Sequence, residues 1–151
     1  MSTEAATAVV RAVFPHCHKT NRVPAERLAD TPVCGGCKQP LLEPRPFALT
    51  EANIDKHLEH SDLPLVIDFW APWCGPCKSM TPVYERSAAE LETRARLAKV
   101  NTDEQPGLAA RFGIRGIPTF VIFKGGREAA RTSGAMDLGR FLYWVRGQQA
   151  Q

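Results

Sequence analysis

The stretch Asp68-Phe69-Trp70-Ala71-Pro72-Trp73-Cys74-Gly75-Pro76-Cys77-Lys78 decides how this chain is read. It starts inside Leu65-Val66-Ile67-Asp68-Phe69-Trp70, a β-branched and aromatic run of the kind that makes a buried strand. It ends where Met80, Val83, Tyr84, Ala88 and Leu91 begin to recur at helical spacing, so a helix is expected over 78–93, kinked at Pro82. Two thiols two residues apart therefore sit at a strand-to-helix junction. Such a pair can open and close a disulfide in a tight ring, although the spacing alone also suits a metal ion. Unpaired N–H groups and a partial positive charge at a helix start stabilise a thiolate. Cys74, on the first-turn side, is expected to have a lowered pKa and to attack a substrate disulfide. Cys77, one turn in and more buried, is expected to attack Cys74, release the reduced substrate and close the ring. Pro76 is tolerated there, because a first-turn N–H has no partner to lose.

Outward from this stretch the pattern stays regular. Thr50 is placed as the cap of a short helix with Ile54, His57 and Leu58 on one face. Leu97 to Asn101 reads as a second strand, and Gln105 to Phe112 as a short helix ended by Gly113. Thr119–Lys124, Gly125-Gly126 and Arg127–Thr132 read as a hairpin. Met136 to Val145 closes the chain as a helix facing Leu138, Phe141, Leu142 and Val145 inward. The order α-β-α-β-α-β-β-α predicts an α/β fold, a central mixed sheet flanked by helices. His57 and His60 are taken as surface histidines.

Before Phe47 the character differs. Residues 1–46 hold six prolines and three of the five cysteines, and no helical or strand period is sustained. A segment this short needs a metal or disulfides to hold a fold. The chain is therefore divided into an N-terminal extension, 1–46, and a main domain, 47–151.

The whole is 151 residues, 44% apolar and 23% charged, which fits one globular domain with a small appendage. No run approaches the roughly 20 apolar residues of a membrane span. The net charge of +3 comes from scattered basic residues, which speaks against nucleic-acid binding. The start, Met1-Ser2-Thr3-Glu4, is not the basic opening of a secretory leader, so a cytoplasmic location is expected. An odd number of cysteines cannot close into a complete disulfide framework, and the pairs Cys34/Cys37 and Cys74/Cys77 point to metal or redox chemistry.

The Asp68–Lys78 stretch closely resembles the active site of the thioredoxin family. Ala98-Lys99-Val100-Asn101, Phe112-Gly113-Ile114-Arg115-Gly116-Ile117-Pro118-Thr119, Phe123-Lys124-Gly125-Gly126 and Ser133-Gly134-Ala135 resemble further thioredoxin segments in order and spacing. The resemblance implies the thioredoxin fold and a protein-disulfide reductase working through Cys74 and Cys77. It implies that Asp68, raised in pKa by burial, takes the Cys77 proton through water, with Lys99 as its partner. It implies a cis bond before Pro118 that sets the Ile117 backbone beside Cys74. Trp73, Gly75, Pro76, Gly116, Ile117, Pro118 and Gly134 are then the substrate-binding set. The Gly75-Pro76 pair is of the reducing type. The implied partners are disulfide-containing client proteins and a flavoprotein thioredoxin reductase, with no organic cofactor in the chain itself. A monomer is expected, with neither membrane nor nucleic acid as partner.

Cys17-His18-Lys19-Thr20-Asn21-Arg22-Val23-Pro24 and Cys34-Gly35-Gly36-Cys37 resemble the zinc-ribbon extension of the zinc-binding bacterial thioredoxins of the thioredoxin 2 or C type. That extension presents four thiolates to one structural zinc. Here Phe14 stands where the first cysteine belongs, leaving Cys17, Cys34 and Cys37. Either flanking imidazole, His16 or His18, could complete a site, and His16 is favoured because it lies on the knuckle side. A three-thiolate site with water, or no metal with Cys34 and Cys37 free to oxidise, are the alternatives. Two rival functions follow: a sensor module on a thioredoxin scaffold, and a net oxidase or isomerase.

Overall fold

The computed structural model describes residues 9–15, 17–26, 33–35, 37–38, 45–91 and 94–149. Two strands of the extension, β1 (Val9–Val13) and β2 (Thr20–Pro24), pair antiparallel from Val9 opposite Pro24 to Val13 opposite Thr20. The sequence reading saw no period here. The reason lies in the burial, since Ala12, Val13 and Phe14 are buried in succession with only Val23 opposite them, so no alternation shows. The register is set by the turn, where the Phe14 N–H donates to the Lys19 carbonyl at 2.8 Å.

The main domain runs β3 (Phe47–Ala48), α1 (Ile54–His60), β4 (Leu65–Trp70), α2 (Gly75–Leu91), β5 (Arg96–Asn101), α3 (Pro106–Arg111), β6 (Thr119–Lys124), β7 (Arg127–Ser133) and α4 (Leu138–Gln149). The five strands lie in the order β3-β5-β4-β6-β7, with β3, β5 and β4 parallel and β6 and β7 antiparallel. Successive side chains of β4 go to opposite faces. Val66 packs with Met80, Tyr84, Leu91, Phe120, Phe141 and Val145 beneath α2 and α4. Leu65, Ile67 and Phe69 pack with Ile54, Leu58 and Leu108 beneath α1 and α3. Each such side chain contributes about 1.5–3 kcal/mol by leaving water. The buried Tyr84 hydroxyl lies 3.0 and 2.7 Å from the carbonyls of Val66 and Ala98, which satisfies it while it ties α2 to the sheet.

Several boundaries differ from the sequence reading for local reasons. The helix α2 begins at Gly75 rather than Lys78, because Cys74 caps it. Helix α1 is preceded by Asn53, whose Oδ1 accepts the Thr50 N–H at 2.9 Å, so Thr50 is a donor here and not the cap. Helix α4 begins after Asp137, whose Oδ1 accepts the Arg140 N–H at 2.8 Å. His57 is no surface residue. It is 1% exposed and packs on the Phe47 ring, and burial, then Arg96, pushes its pKa down to about 3.

The extension is fixed to this domain. Arg11 donates to Asp62 from its backbone N–H at 2.6 Å and from Nη2 at 3.0 Å, and its carbonyl accepts the Asp62 N–H. Leu63 packs on the cluster of Ala12, Phe14, Val23 and Cys34. An exposed ion pair alone contributes little, so the apolar contact carries more of the docking. Among the described residues no helix is long and apolar enough to cross a membrane.

Candidate active site and the thiol cluster of the extension

Cys74 stands at the end of the loop after β4. Its own N–H reaches the Ala71 carbonyl, its carbonyl accepts the Lys78 N–H, and its sulfur accepts the Cys77 N–H at 3.2 Å. The sulfur thus fills the place of an N-cap oxygen, aimed at a first-turn donor that the helix cannot satisfy. Pro76 falls where no N–H is required. Cys74 and Cys77 are joined as a disulfide, 4% and 2% exposed, with Cα atoms 5.2 Å apart. Ala71, Trp70 and Ile117 pack around them.

The Ile117–Pro118 bond is cis, and the Ile117 carbonyl oxygen lies 3.8 Å from Cys74 Sγ. Thr119 Oγ1 bonds the Gly116 carbonyl and lies 2.9 Å from Ser133 Oγ, and the Gly134 N–H bonds the Pro118 carbonyl at 2.9 Å. These bonds tie the 116–118 loop to the end of β7. Gly134 holds φ +95°, a conformation other residues rarely adopt, and Gly75, Gly116 and Gly134 have no atom within 4 Å of where a Cβ would stand. The strip beside the sulfurs is therefore open. Trp73, 68% exposed, borders it, its indole N–H donating to Asp103 Oδ1 at 3.2 Å. Asp103 was not singled out from sequence. Its signal was its place in Asn101-Thr102-Asp103, directly after a strand end.

Asp68 is 2% exposed, and its Oδ1 has no hydrogen-bond partner among the described residues. Burial raises its pKa to about 7, against the opposing pull of the Lys99 charge. Lys99 is its register partner on β5, and the Lys99 ammonium sits 4.5 Å over the Trp70 ring centroid. A carboxyl that changes charge near neutrality, in the layer that packs against α2, can hold or release a proton during thiol chemistry.

In the extension Cys17, Cys34 and Cys37 bring their sulfurs within 4.8 Å of one another, Cys17 and Cys34 at 3.6 Å. Asn21 braces them, its Nδ2 3.5 Å from Cys34 Sγ and its Oδ1 accepting the Gly35 N–H. Desolvation, with the neighbouring thiols, pushes the Cys17 pKa up, which a cation bound among the sulfurs would reverse. The donor set suits a thiophilic ion. His16 lies outside the described residues. His18 is not among the sulfurs. Its Nδ1 is 2.9 Å from His57 Nε2 and its Nε2 is 3.3 Å from Asn53 Nδ2.

The thioredoxin family profile matches residues 45–146, and the profile for the N-terminal region of thioredoxin 2, a zinc ribbon, matches residues 15–39. Thioredoxin C-3 of Corynebacterium nephridii is 42% identical over 139 residues, 92% of this chain and 95% of that protein. Thioredoxin 1 of Nostoc sp. is 44% identical over 88 residues, 58% of this chain and 82% of that one. Among solved structures, a mutant thioredoxin from Halobacterium salinarum NRC-1 superposes with a TM-score of 0.63 at 31% identity, covering 70% of this chain and 92% of that one.

Proposed function

The chain belongs to the thioredoxin family, a thiol-disulfide oxidoreductase that reduces protein disulfides, and on that premise we propose how its own residues divide the work. The observation that carries the reading is the Cys77 N–H aimed at Cys74 Sγ from 3.2 Å at the start of α2. That donor and the helix start favour a thiolate on Cys74 over one on Cys77. The Cys74 thiolate attacks one sulfur of a client disulfide, forming a mixed disulfide and releasing the first client thiol. Cys77 passes its proton to Asp68 through water, and Lys99 balances the charge that Asp68 carries beforehand. The Cys77 thiolate then attacks Cys74, the second client thiol leaves, and two electrons have moved from the pair to the client.

Trp73, Gly75, Pro76, Gly116, Ile117, Pro118 and Gly134 form the strip on which an extended client segment lies, beside the Ile117 carbonyl. Support comes from the open glycine positions and the exposed indole. Re-reduction falls to a flavoprotein thioredoxin reductase. We place the protein in the cytoplasm as a monomer.

The division proposed is an extension over 1–46 and a thioredoxin domain over 47–151. The extension binds one structural zinc through Cys17, Cys34 and Cys37, and His16 is the fourth ligand that the sequence offers. Bound zinc there supplies folding free energy and no redox chemistry. The test is zinc content of protein purified without chelator, with a thiol count before and after reduction. One zinc per chain supports the ribbon site, and none, with Cys34 and Cys37 oxidisable, rejects it. Insulin-type disulfide reduction tests the catalytic reading. A two-electron potential far above the value of about −270 mV that thioredoxins generally show would favour an oxidase instead.

A further inference from the structure

We infer that Asn21 is a positioning residue of the thiol cluster, whose amide N–H bonds the buried Cys34 sulfur and so governs how firmly the cluster holds its ion and how slowly that sulfur reacts. This rests on the zinc reading above and adds to it a residue that is not itself a ligand.

Asn21 lies on β2 opposite Ala12, on the strand face that it shares with Val23. Ala12 and Val23 are buried, so this face packs inward and an amide on it needs partners. Nδ2 donates to the Lys19 carbonyl at 3.0 Å, and Oδ1 accepts the Gly35 N–H at 3.0 Å. A carbonyl only accepts and a backbone N–H only donates, so these two bonds leave the amide one orientation. The other hydrogen of Nδ2 is then given to Cys34 Sγ, 3.5 Å away. The Lys19 carbonyl also accepts the Phe14 N–H in the first knuckle, and Gly35 follows Cys34 in the second. One side chain therefore ties the two knuckles together and presents an N–H to a ligand sulfur.

The sulfur it meets is the one that water reaches least. Cys34 is 0% exposed, whereas Cys17 and Cys37 are exposed. Ligating thiols bind in the deprotonated form, and three thiolates carry more charge than a divalent ion cancels. Water can solvate the excess at Cys17 and Cys37, but at Cys34 it calls for a donor from the protein. An N–H that draws charge from a thiolate lowers the energy of the sulfur lone pairs. The thiolate is then a weaker nucleophile, and charge transfer from it to a bound metal takes more energy. Replacing a group that orients a metal ligand in this way typically costs about tenfold to a hundredfold in metal affinity.

The experiment uses the full chain carrying Cys74→Ser and Cys77→Ser, so that only the thiols of the extension take metal. This parent is compared with Asn21→Asp, which keeps an acceptor for the Gly35 N–H but has no N–H to give, and with Asn21→Leu, which keeps the approximate shape and loses both. Each protein is loaded anaerobically with Co²⁺, and zinc affinity is read by competition with a chromogenic chelator. In both variants the sulfur-to-cobalt charge-transfer band should move to longer wavelength, and zinc should be held about tenfold to a hundredfold more weakly. A band at the parent's wavelength in either variant makes Asn21 a brace alone, which overturns the inference and leaves the metal reading standing. Should neither variant take up cobalt, hydrogen exchange at the Ala12 and Val13 amides decides. Protection equal to that of the metal-free parent supports the inference, and protection below it makes Asn21 a brace of the fold and overturns it. Absence of any Co–S band in the parent overturns both the inference and the zinc reading.

Discussion

The backbone N–H of Cys77 meets the sulfur of Cys74 at 3.2 Å, so the second cysteine of the pair helps to prepare the first. A serine at 77 keeps that N–H and loses the attacking sulfur. Cys77→Ser should therefore still attack clients and then stall, accumulating mixed disulfides on non-reducing gels. Cys74→Ser should reduce disulfides at below roughly 1% of the wild-type rate, because no thiolate remains at the capping position. A Cys77→Ser protein that still cycles would reverse the two roles.

Asp68 ties stability to pH. Its pKa rises from 3.8 to about 7 on folding, so the folded state keeps a proton that the unfolded chain releases. The stability contributed by Asp68 is fully present below about pH 4, falls as pH rises through the window from 4 to 7, and is level above it. Asp68→Asn removes the charge but leaves a buried amide. It should stabilise the oxidised protein by on the order of 2 kcal/mol at pH 8 and hardly at all at pH 4. Denaturant unfolding at the two pH values reads this directly. The same variant should slow the attack of Cys77 roughly a hundredfold and flatten its pH profile near 7. An unchanged profile would remove Asp68 from the proton path.

The parts legible in the sequence are those where one physical signal dominates. The run Leu65–Trp70 is buried along almost its whole length, and its β-branched and aromatic character announced a strand despite Asp68. The hairpin of β6 and β7 was marked by Gly125-Gly126, both at positive φ. Cys74 and Cys77 were readable because their chemistry is local. Less legible were features that depend on distant partners. His57 looks like an exposed helix residue until Phe47 and His18 cover it. The two-residue β3 is too short for any period, and β1 and β2 bury only a few side chains. The start of α2 was set late, at 78, although Pro76 was already read as a first-turn residue, because Gly75 and Pro76 are poor helix formers and do not show in the apolar spacing.

Gly134 shows that the docking strip depends on backbone as well as side chains. Its φ of +95° strains any side chain, although space is open around it. Gly134→Val should lower stability by about 1–3 kcal/mol through that strain. The added methyls would also project over the strip beside Ile117, so KM for a protein disulfide should rise while small disulfides react almost as before. If both substrates keep their KM, clients do not lie across Gly134.

Phe14 offers the sharpest separation of the extension from the catalytic domain. It is one of the largest fully buried side chains, and among the described residues the other buried members of its cluster are Ala12, Val23 and Cys34. Removing a buried phenylalanine ring costs about 3–5 kcal/mol in ordinary cores, and so small a cluster has little to collapse into the gap. Phe14→Ala should therefore open β1 and β2 while α2 and the main sheet stay folded. Hydrogen exchange should show the Ala12 and Val13 amides losing protection by a factor of roughly a hundred or more, with β4 and β6 unchanged. Disulfide reduction should persist, since the Cys74–Cys77 surroundings are built from Trp70, Ala71 and Ile117. Loss of protection in β4 as well would mean that the Arg11–Asp62 and His18–His57 contacts make the extension part of one cooperative unit with the catalytic domain.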